Sequence, residues 1–394
     1  MKILLLAPHP FFQARGTPLA VRTVLEFLSG RGHHVDILTL HEGEDLAIPN
    51  CRIYRIPPIP GVRNVRPGFS LKKVLCDAVM FGSCLRMVRR KRYDLIHAVE
   101  ESAFIAAAAG AVSGVPYIYD MDSSLAEQMV EAYPALHFVL PVLRYCESVA
   151  VRRSLGVLTV CAALEDVALG HSPGKPVGRV EDSTLLSSTS SGLRTSNGYA
   201  PLPEEATRPL AMYVGNLERY QGIDLMLDGF RHALYRVPDA SLVIVGGRGE
   251  DIQHYQRVAA RLGILPKVHF LGPRPVDVLP SLLRQADVLV SPRVKGLNTP
   301  MKIYSYLDSG TAVLATRLRT HTQVLDDRSA YLVDPEPEAF GAGLAALLSD
   351  QALRQRLALH AKRYVQEEFT PEAARRKLGS FYSAMEAKAA EARA

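Results

Sequence analysis

Cysteine is scarce in this chain of 394 residues: five are present, an odd number, at Cys51, Cys76, Cys84, Cys146 and Cys161. No two stand in CxxC spacing, which argues against a zinc site and a disulfide frame and for reduced thiols in a cytoplasm. Long hydrophobic runs are missing as well. No stretch reaches the roughly 18 apolar residues that a spanning helix needs. The apolar segment of MKILLLAPHP is too short for a secretory leader and reads as a first strand. That strand is not followed by GxGxxG with an acidic residue about 20 positions on, which speaks against a dinucleotide oxidoreductase. Acidic side chains fall short of basic ones, 40 against 46, and the net charge of +6 favours nucleotides, phosphates or anionic lipid as partners. No nucleic-acid-binding module accompanies the charge, so nucleic acid is not expected.

The length suits two α/β domains rather than one core. Lys2 to Ala7 is a continuous apolar strand; a loop containing Gly16, a helix from Leu19 to Ser29 and a strand from Val35 to Leu40 follow. This is the opening of a doubly wound sheet, whose ligands sit at the carboxyl ends of the strands. Further buried strands are read at 93–98, 116–119 and 156–161, with helices at 103–114 and 138–150. The carboxyl ends carry His97, Glu100, Glu101, Asp120 and Asp122, although Asp122 and Ser123 also suit the cap of a helix starting at Leu125. Between Val62 and Arg92, nine basic residues face only Asp77, with Val74, Leu75, Met80 and Phe81 interleaved. The result is a basic amphipathic helix, able to lie on an anionic membrane or to pack one face and solvate the other.

Residues 183–205 are rich in Ser, Thr, Gly, Asn and Pro and read as a linker. The α/β alternation then restarts. Strands are expected at 210–214, 241–245, 268–271, 286–290, 311–315 and 331–333, and helices at 223–236, 251–262, 276–284, 337–348 and 351–368, before a long polar helix from Pro371 to Ala394. The richest stretch is SPRVKGLNTPMKIYSYLDSGTAVLAT, residues 291–316. Thr299 is a good N-cap, Pro300 suits the first helical position, and Gly310 suits the stop. Arg293 and Lys295 would thus be carried to a helix N-terminus that favours an anion such as phosphate.

SPR..G.NTPMKIYSYL.SG, with GNLE.YQGIDLML before it and RGTP and GHHVDILTL in the first half, resembles glycosyltransferase family 4 over nearly the whole chain. The resemblance implies the GT-B fold, two Rossmann-like doubly wound parallel sheets facing across a cleft. It implies retaining transfer from a nucleotide-diphosphate sugar, with no cofactor and no metal. Residues 1–182 would bind the acceptor, with the helix 371–394 packing back on them, and 206–370 would bind the donor. The diphosphate would lie against Asn298, Thr299, Pro300 and Met301, near Lys302, with Gly16 and Thr17 closing over it. Residues 268–274 and the loop 246–249, with Gly247 and Arg248, would approach the nucleoside.

Departures from the family pattern fall within the same segments. Leu297 and Ser305 stand where a pair of glutamates is usual, and Asn216 and Gln221 stand where an arginine and a lysine are usual. Ser305 keeps a hydroxyl for the ribose; Leu297 cannot replace an acid. Arg219, Arg248, Arg293, Lys295 and Lys302 are candidate replacements for the lost cations. Asp122 aligns with a frequent histidine and is the first candidate to orient the acceptor hydroxyl, with Asp120 and Glu100 as alternates. The expected activity is hexosyl transfer to a cell-envelope glycolipid or polysaccharide. The expected location is cytoplasmic, at the inner face of the cell membrane if the basic helix meets lipid. The alternatives are a GT-B protein that binds a nucleotide sugar or a partner glycosyltransferase without catalysis, and an epimerase, which would need more acidic and histidine groups around the sugar.

Overall fold

The computed structural model describes residues 1–13, 16–63, 65, 70–132, 134–186 and 201–391. Arg15, Arg66, most of the expected linker and the tail beyond Glu391 lie outside the described residues. The chain divides into two compact units, Met1–Glu181 with Ala374–Ala394, and Asp182–Ala373.

The first unit carries β1 (Lys2–Ala7), α1 (Thr17–Gly30), β2 (His34–Thr39), β3 (Cys51–Arg55), α2 (Leu71–Arg90), β4 (Leu95–Val99) and α3 (Ser102–Ser113). They are followed by β5 (Tyr117–Met121), α4 (Leu125–Ala132), α5 (Leu140–Arg153), β6 (Gly156–Thr159), α6 (Ala162–His171) and β7 (Val177–Arg179). The strands form one sheet in the order β3-β2-β1-β4-β5-β6-β7, every pair parallel. Central strands such as KILLLA are buried on both faces, which is why they read as unbroken apolar runs rather than alternating ones.

In the second unit β8 (Leu210–Val214), α7 (Ile223–Leu234), β9 (Ser241–Val245), α8 (Gly249–Arg261), β10 (Val268–Gly272), α9 (Leu279–Leu283) and β11 (Val288–Ser291) come first. Then follow α10 (Lys302–Asp308), β12 (Ala312–Thr316), α11 (Arg319–Thr322), β13 (Tyr331–Val333), α12 (Pro337–Ser349), α13 (Gln351–Glu368) and α14 (Pro371–Glu391), the last crossing into the first unit. The sheet order is β10-β9-β8-β11-β12-β13, again all parallel. Both units are therefore doubly wound, with the order reversing beside the first strand of each. The carboxyl ends of β1 and β4, and of β8 and β11, are where such a sheet leaves a crevice.

Several expectations need correction. The basic helix occupies Leu71–Arg90 only, because Ser70 caps it by accepting the Lys73 N–H. Segment 138–150 splits into a 3-10 turn, Pro134–Val139, and α5, and segment 276–284 splits at a second 3-10 turn before α9. In each case a proline lies in the first helical turn, where its missing N–H costs nothing. α4 begins at Leu125 as expected, whereas α6 and β7 were not anticipated. The last helix is amphipathic rather than polar: Leu378, Phe381, Tyr382 and Met385 are buried in the core beneath α1 and β1. Among the described residues no helix is long and apolar enough to cross a membrane.

Each of these four side chains is worth about 1.5–3 kcal/mol of burial, so α14 is part of the first core rather than an appendage. Leu378→Ala is expected to destabilise the protein by about 2–5 kcal/mol, the range for a large-to-small change in a packed core. Urea unfolding followed by far-ultraviolet circular dichroism measures it; a loss under about 0.5 kcal/mol would mean that the helix does not complete the core.

Candidate functional site

In the second unit the site is built where two turns meet. GNLERYQG leaves β8 and passes through a short 3-10 turn, Arg219–Gln221, into α7. Gly222 sits at φ +74, and a Cβ there would lie 1.9 Å from the Pro292 carbonyl oxygen. Glycine is what lets this turn touch the loop that follows β11. Gly246, at φ +113, does the same against the Gly215 carbonyl, at 2.1 Å from an added Cβ. The loop 293–301 is pinned by its carbonyls. Arg293 Nη1 (3.0 Å) and the Thr320 hydroxyl donate to Asn298 O, Gln323 Nε2 donates to Leu297 O at 2.8 Å, and Arg293 Nε donates to Lys295 O at 2.8 Å.

These bonds keep the loop out of helical conformation, and the helix expected from Thr299 starts later. α10 runs Lys302–Asp308 with Met301 as its N-cap, so Thr299 is not the cap and Pro300 is not the first helical residue. Thr299 Oγ1 is buried without a hydrogen-bond partner. Gly310, at φ +78, follows the helix end as expected of a left-handed stop.

Lys302 is the centre of this arrangement. Its Nζ donates to Gln221 Oε1 at 3.2 Å and stands 3.9 Å from the centroid of the Tyr213 ring. Among the described residues it forms no ion pair to a carboxylate. Burial, reinforced by the Arg293 guanidinium, holds the ammonium well below the ordinary lysine range. Arg293 itself stacks on Tyr220, 5.0 Å from the ring centroid. His321 lies behind, bonded to Ser291 Oγ at 2.9 Å and to the Thr316 carbonyl at 2.8 Å. Burial first, and Lys302 and Arg293 after it, bring its pKa down to about 3, so the ring is neutral.

The structure thus brings Gln221, Arg293, Asn298, Thr299, Pro300, Met301 and Lys302 together. Lys295 is exposed at the tip of the same loop. Asn216 is exposed: its backbone carbonyl accepts the Tyr213 hydroxyl at 2.6 Å and its Oδ1 accepts the Glu218 N–H at 3.3 Å. Arg219 opens the 3-10 turn, and Arg248 faces Glu218 at 3.9 Å on the surface, beside Gly247. Ser305 is buried, and its hydroxyl accepts the Leu185 N–H at 3.1 Å rather than facing the loop. Tyr213, Thr320, His321 and Gln323 were not read as part of the site; a strand tyrosine and a short polar helix carry no signal before the fold is known.

In the first unit the candidate acids stand at the carboxyl ends of β4 and β5. His97 Nε2 donates to Asp120 Oδ2 at 2.8 Å, and the Tyr382 hydroxyl of α14 donates to His97 Nδ1 at 2.6 Å, all three residues buried. Glu100 takes φ +50, with its N–H donating to the Asp120 carbonyl at 2.8 Å. Burial, then the neighbouring Glu101, pushes the Glu100 carboxyl up to about 7. Asp77 is also pushed to about 7, by burial and then Glu101. Glu101 is ion-paired with the buried Lys73. Burial works against the Lys73 charge, and Glu101 and Glu100 outweigh it, so its pKa is raised. Asp122 is buried, while the cap of α4 falls to Ser124, whose hydroxyl accepts the Glu127 N–H at 3.4 Å and donates to Glu147. Gly16 precedes α1 at φ +48 and Thr17 begins that helix.

Two family models match this chain. Glycosyl transferases group 1 covers residues 200–364, and the glycosyl transferase 4-like domain covers residues 15–177. The chain belongs to glycosyltransferase family 4. Sucrose-phosphate synthase from Thermosynechococcus elongatus superposes with a TM-score of 0.77 at 19% identity, over 98% of this chain and 99% of that one. Anabaena HepE in complex with UDP-glucose gives a TM-score of 0.73 at 17% identity, over 97% and 99%. The fold is GT-B. D-inositol 3-phosphate glycosyltransferase of Corynebacterium diphtheriae is 30% identical over 177 residues, which is 43% of this chain. This chain spans only 41% of that relative's length.

A buried lysine with no carboxylate paired to it among the described residues is a cost to this family 4 protein. Replacing it by an apolar side chain of similar length removes the cost. Lys302→Met is expected to leave stability unchanged or raise it by up to about 2 kcal/mol, measured by thermal melting without ligand. The native state binds fewer protons here than the unfolded chain, so wild-type stability rises with pH toward the ordinary lysine range. The advantage of the variant should shrink in step. A destabilised variant with no such pH trend would refute this account of Lys302.

Proposed function

We propose that the chain transfers a hexosyl unit, with retention at the anomeric carbon, from a nucleotide-diphosphate sugar to a hydroxyl of a cell-envelope glycolipid or polysaccharide. The observation that carries this reading is the buried Lys302, which has an amide oxygen and a π face beside it but no carboxylate counter-ion. A diphosphate is the anion such a cation lacks. Arg293 and Lys295 on the same loop would share its charge, and the Thr299 hydroxyl is a ready partner for a phosphate or sugar oxygen. That the Anabaena relative was solved with UDP-glucose supports a nucleotide sugar as the donor.

In the proposed reaction the bond from the anomeric carbon to the leaving phosphate oxygen breaks, and the acceptor oxygen bonds to that carbon on the same face. The acceptor proton passes to the leaving phosphate. Charge develops on that phosphate, and aimed cations and N–H groups are the largest stabilisation such a site can supply. Side chains alone can meet this charge, so the reading needs no bound metal. Leu297 offers no nucleophile, and this route requires none from the protein.

On the first unit Asp122 or Glu100 would orient the acceptor hydroxyl, with Asp120 held in place by His97. Glu100, poised near neutrality, could accept a hydrogen bond or give one. The proposed setting is the cytoplasm, at the inner face of the membrane. A second reading, a binding protein without catalysis, is favoured by Leu297 and by the Ser305 hydroxyl being engaged with Leu185.

UDP, GDP or ADP, or a sugar conjugate of one of them, is expected to raise the melting temperature by mass action, and Lys302→Met should abolish the shift. Incubation with the stabilising nucleotide sugar should release its nucleotide slowly. Stabilisation without any turnover, with or without acceptors, would favour the binding-only reading; no stabilisation by any nucleotide would sink both. Binding should also take up protons, because an anion raises the depressed pKa of Lys302, so affinity falls as pH rises. Calorimetry in buffers of differing ionisation enthalpy reads the uptake, and an unchanged uptake in Lys302→Met would show that another group titrates.

A further inference from the structure

Eight of the eleven large hydrophobic side chains exposed among the described residues lie on α2, α3, α5 and the turn leading into α5. Leu71 is 85% exposed, and Val74, Leu75 and Phe81 share its helix. Phe138 is 78% exposed, with Val142 and Tyr145 close behind it. α3 packs against both α2 and α5, so these residues belong to one face of the first unit. Each helix runs antiparallel to the strands it joins, which puts the amino-terminal halves of α2 and α5 at the carboxyl edge of the sheet. The apolar side chains of both helices are concentrated there, at the edge that carries Glu100, Asp120 and Asp122.

Charge on this face is mainly basic, with Glu127 of α4 paired to Arg144 of α5 at 2.7 Å. Arg86, Arg89 and Arg90 are exposed on the last turns of α2, and Arg152 and Arg153 on the last turn of α5. On α2, α3 and α5 the acidic residues are Asp77, which is half-buried, and Glu147, which is buried against Ser124 and His171. An apolar stripe exposed on one side of a helix and continued by arginines is the pattern of a helix lying in a lipid interface, its apolar groups a few ångströms deep and its cations against acidic headgroups.

We infer that the face formed by α2 and by Phe138–Arg153 docks on an anionic lipid bilayer. This narrows the basic segment read from the sequence to its helical part and adds a second helix, in which the sequence alone showed no membrane character. The inference deepens the proposed function and rests on it in one respect: it makes the acceptor a lipid-anchored saccharide presented from that surface.

The test is co-sedimentation of the full chain with two kinds of vesicle, phosphatidylcholine alone and equal parts of phosphatidylcholine and phosphatidylglycerol. Wild type is expected to sediment with the mixed vesicles, to stay in solution with neutral ones, and to release as salt is raised. Arg86→Gln with Arg89→Gln and Arg90→Gln should lower partitioning on the order of a hundredfold. Leu71→Ser with Phe138→Ser should lower it by at least about tenfold without lowering the melting temperature, since both side chains are already in water.

Failure of wild type to bind the mixed vesicles overturns the inference. So does full binding by the serine variant. Light scattering that shows a dimer in wild type and a monomer in that variant overturns it too, by making the face a contact between two copies. Nucleotide-induced stabilisation is measured on the same samples. If it persists while vesicle binding fails, only the docking inference falls; if vesicles bind and nucleotides do not, the donor reading falls instead.

Discussion

One buried amine organises the second unit. An ammonium taken out of water without a counter-ion costs several kcal/mol or gives up its proton, and Lys302 is held toward the latter by its surroundings. Much of the neighbourhood serves to keep it there. Tyr213 offers a ring face, Gln221 an amide oxygen, and Gly222 allows the loop after β11 to close against the turn that carries Gln221. His321, which is neutral, adds no charge behind it. Under the proposed function an anionic ligand would offset that cost.

The same amine bears on one of the substitutions seen in the sequence. Where relatives of the family usually carry a lysine, this chain has Gln221, yet the Lys302 ammonium is hydrogen-bonded to that glutamine's side chain. An amine stands at that place, carried by a different point of the chain. Linear sequence cannot display such an exchange, because positions 221 and 302 become neighbours only through the order of the strands β8 and β11.

The sheets were legible because parallel strands buried on both faces read as apolar runs; Lys2–Ala7, Leu210–Val214, Ser241–Val245 and Tyr331–Val333 needed no adjustment. What the sequence concealed depended on partners far away in the chain. Thr299 and Pro300 spell a helix start, but Thr320 and Gln323 hold the preceding carbonyls, and the helix waits until Lys302. The last helix looked polar because its buried side chains include Ala373, Ala374 and Ala389, whose small size hides the stripe. Asp120 looked like a free carboxylate; only the fold puts His97 and Tyr382 against it.

The hydrogen bond from Tyr382 to His97 has a consequence for how the protein is made. The first unit is discontinuous, and the whole of Asp182–Ala373 is synthesised between its two parts. Domains that are continuous in sequence can fold as they leave the ribosome. Here the amino-terminal sheet must wait, with the surface beneath α1 and β1 that receives Phe381, Tyr382 and Met385 still open, until the second unit has been translated. During that interval a nascent chain exposes an apolar surface meant for its own α14, and chaperone occupancy would be concentrated there. The second unit, contiguous and complete without α14 beyond Ala373, can mature first.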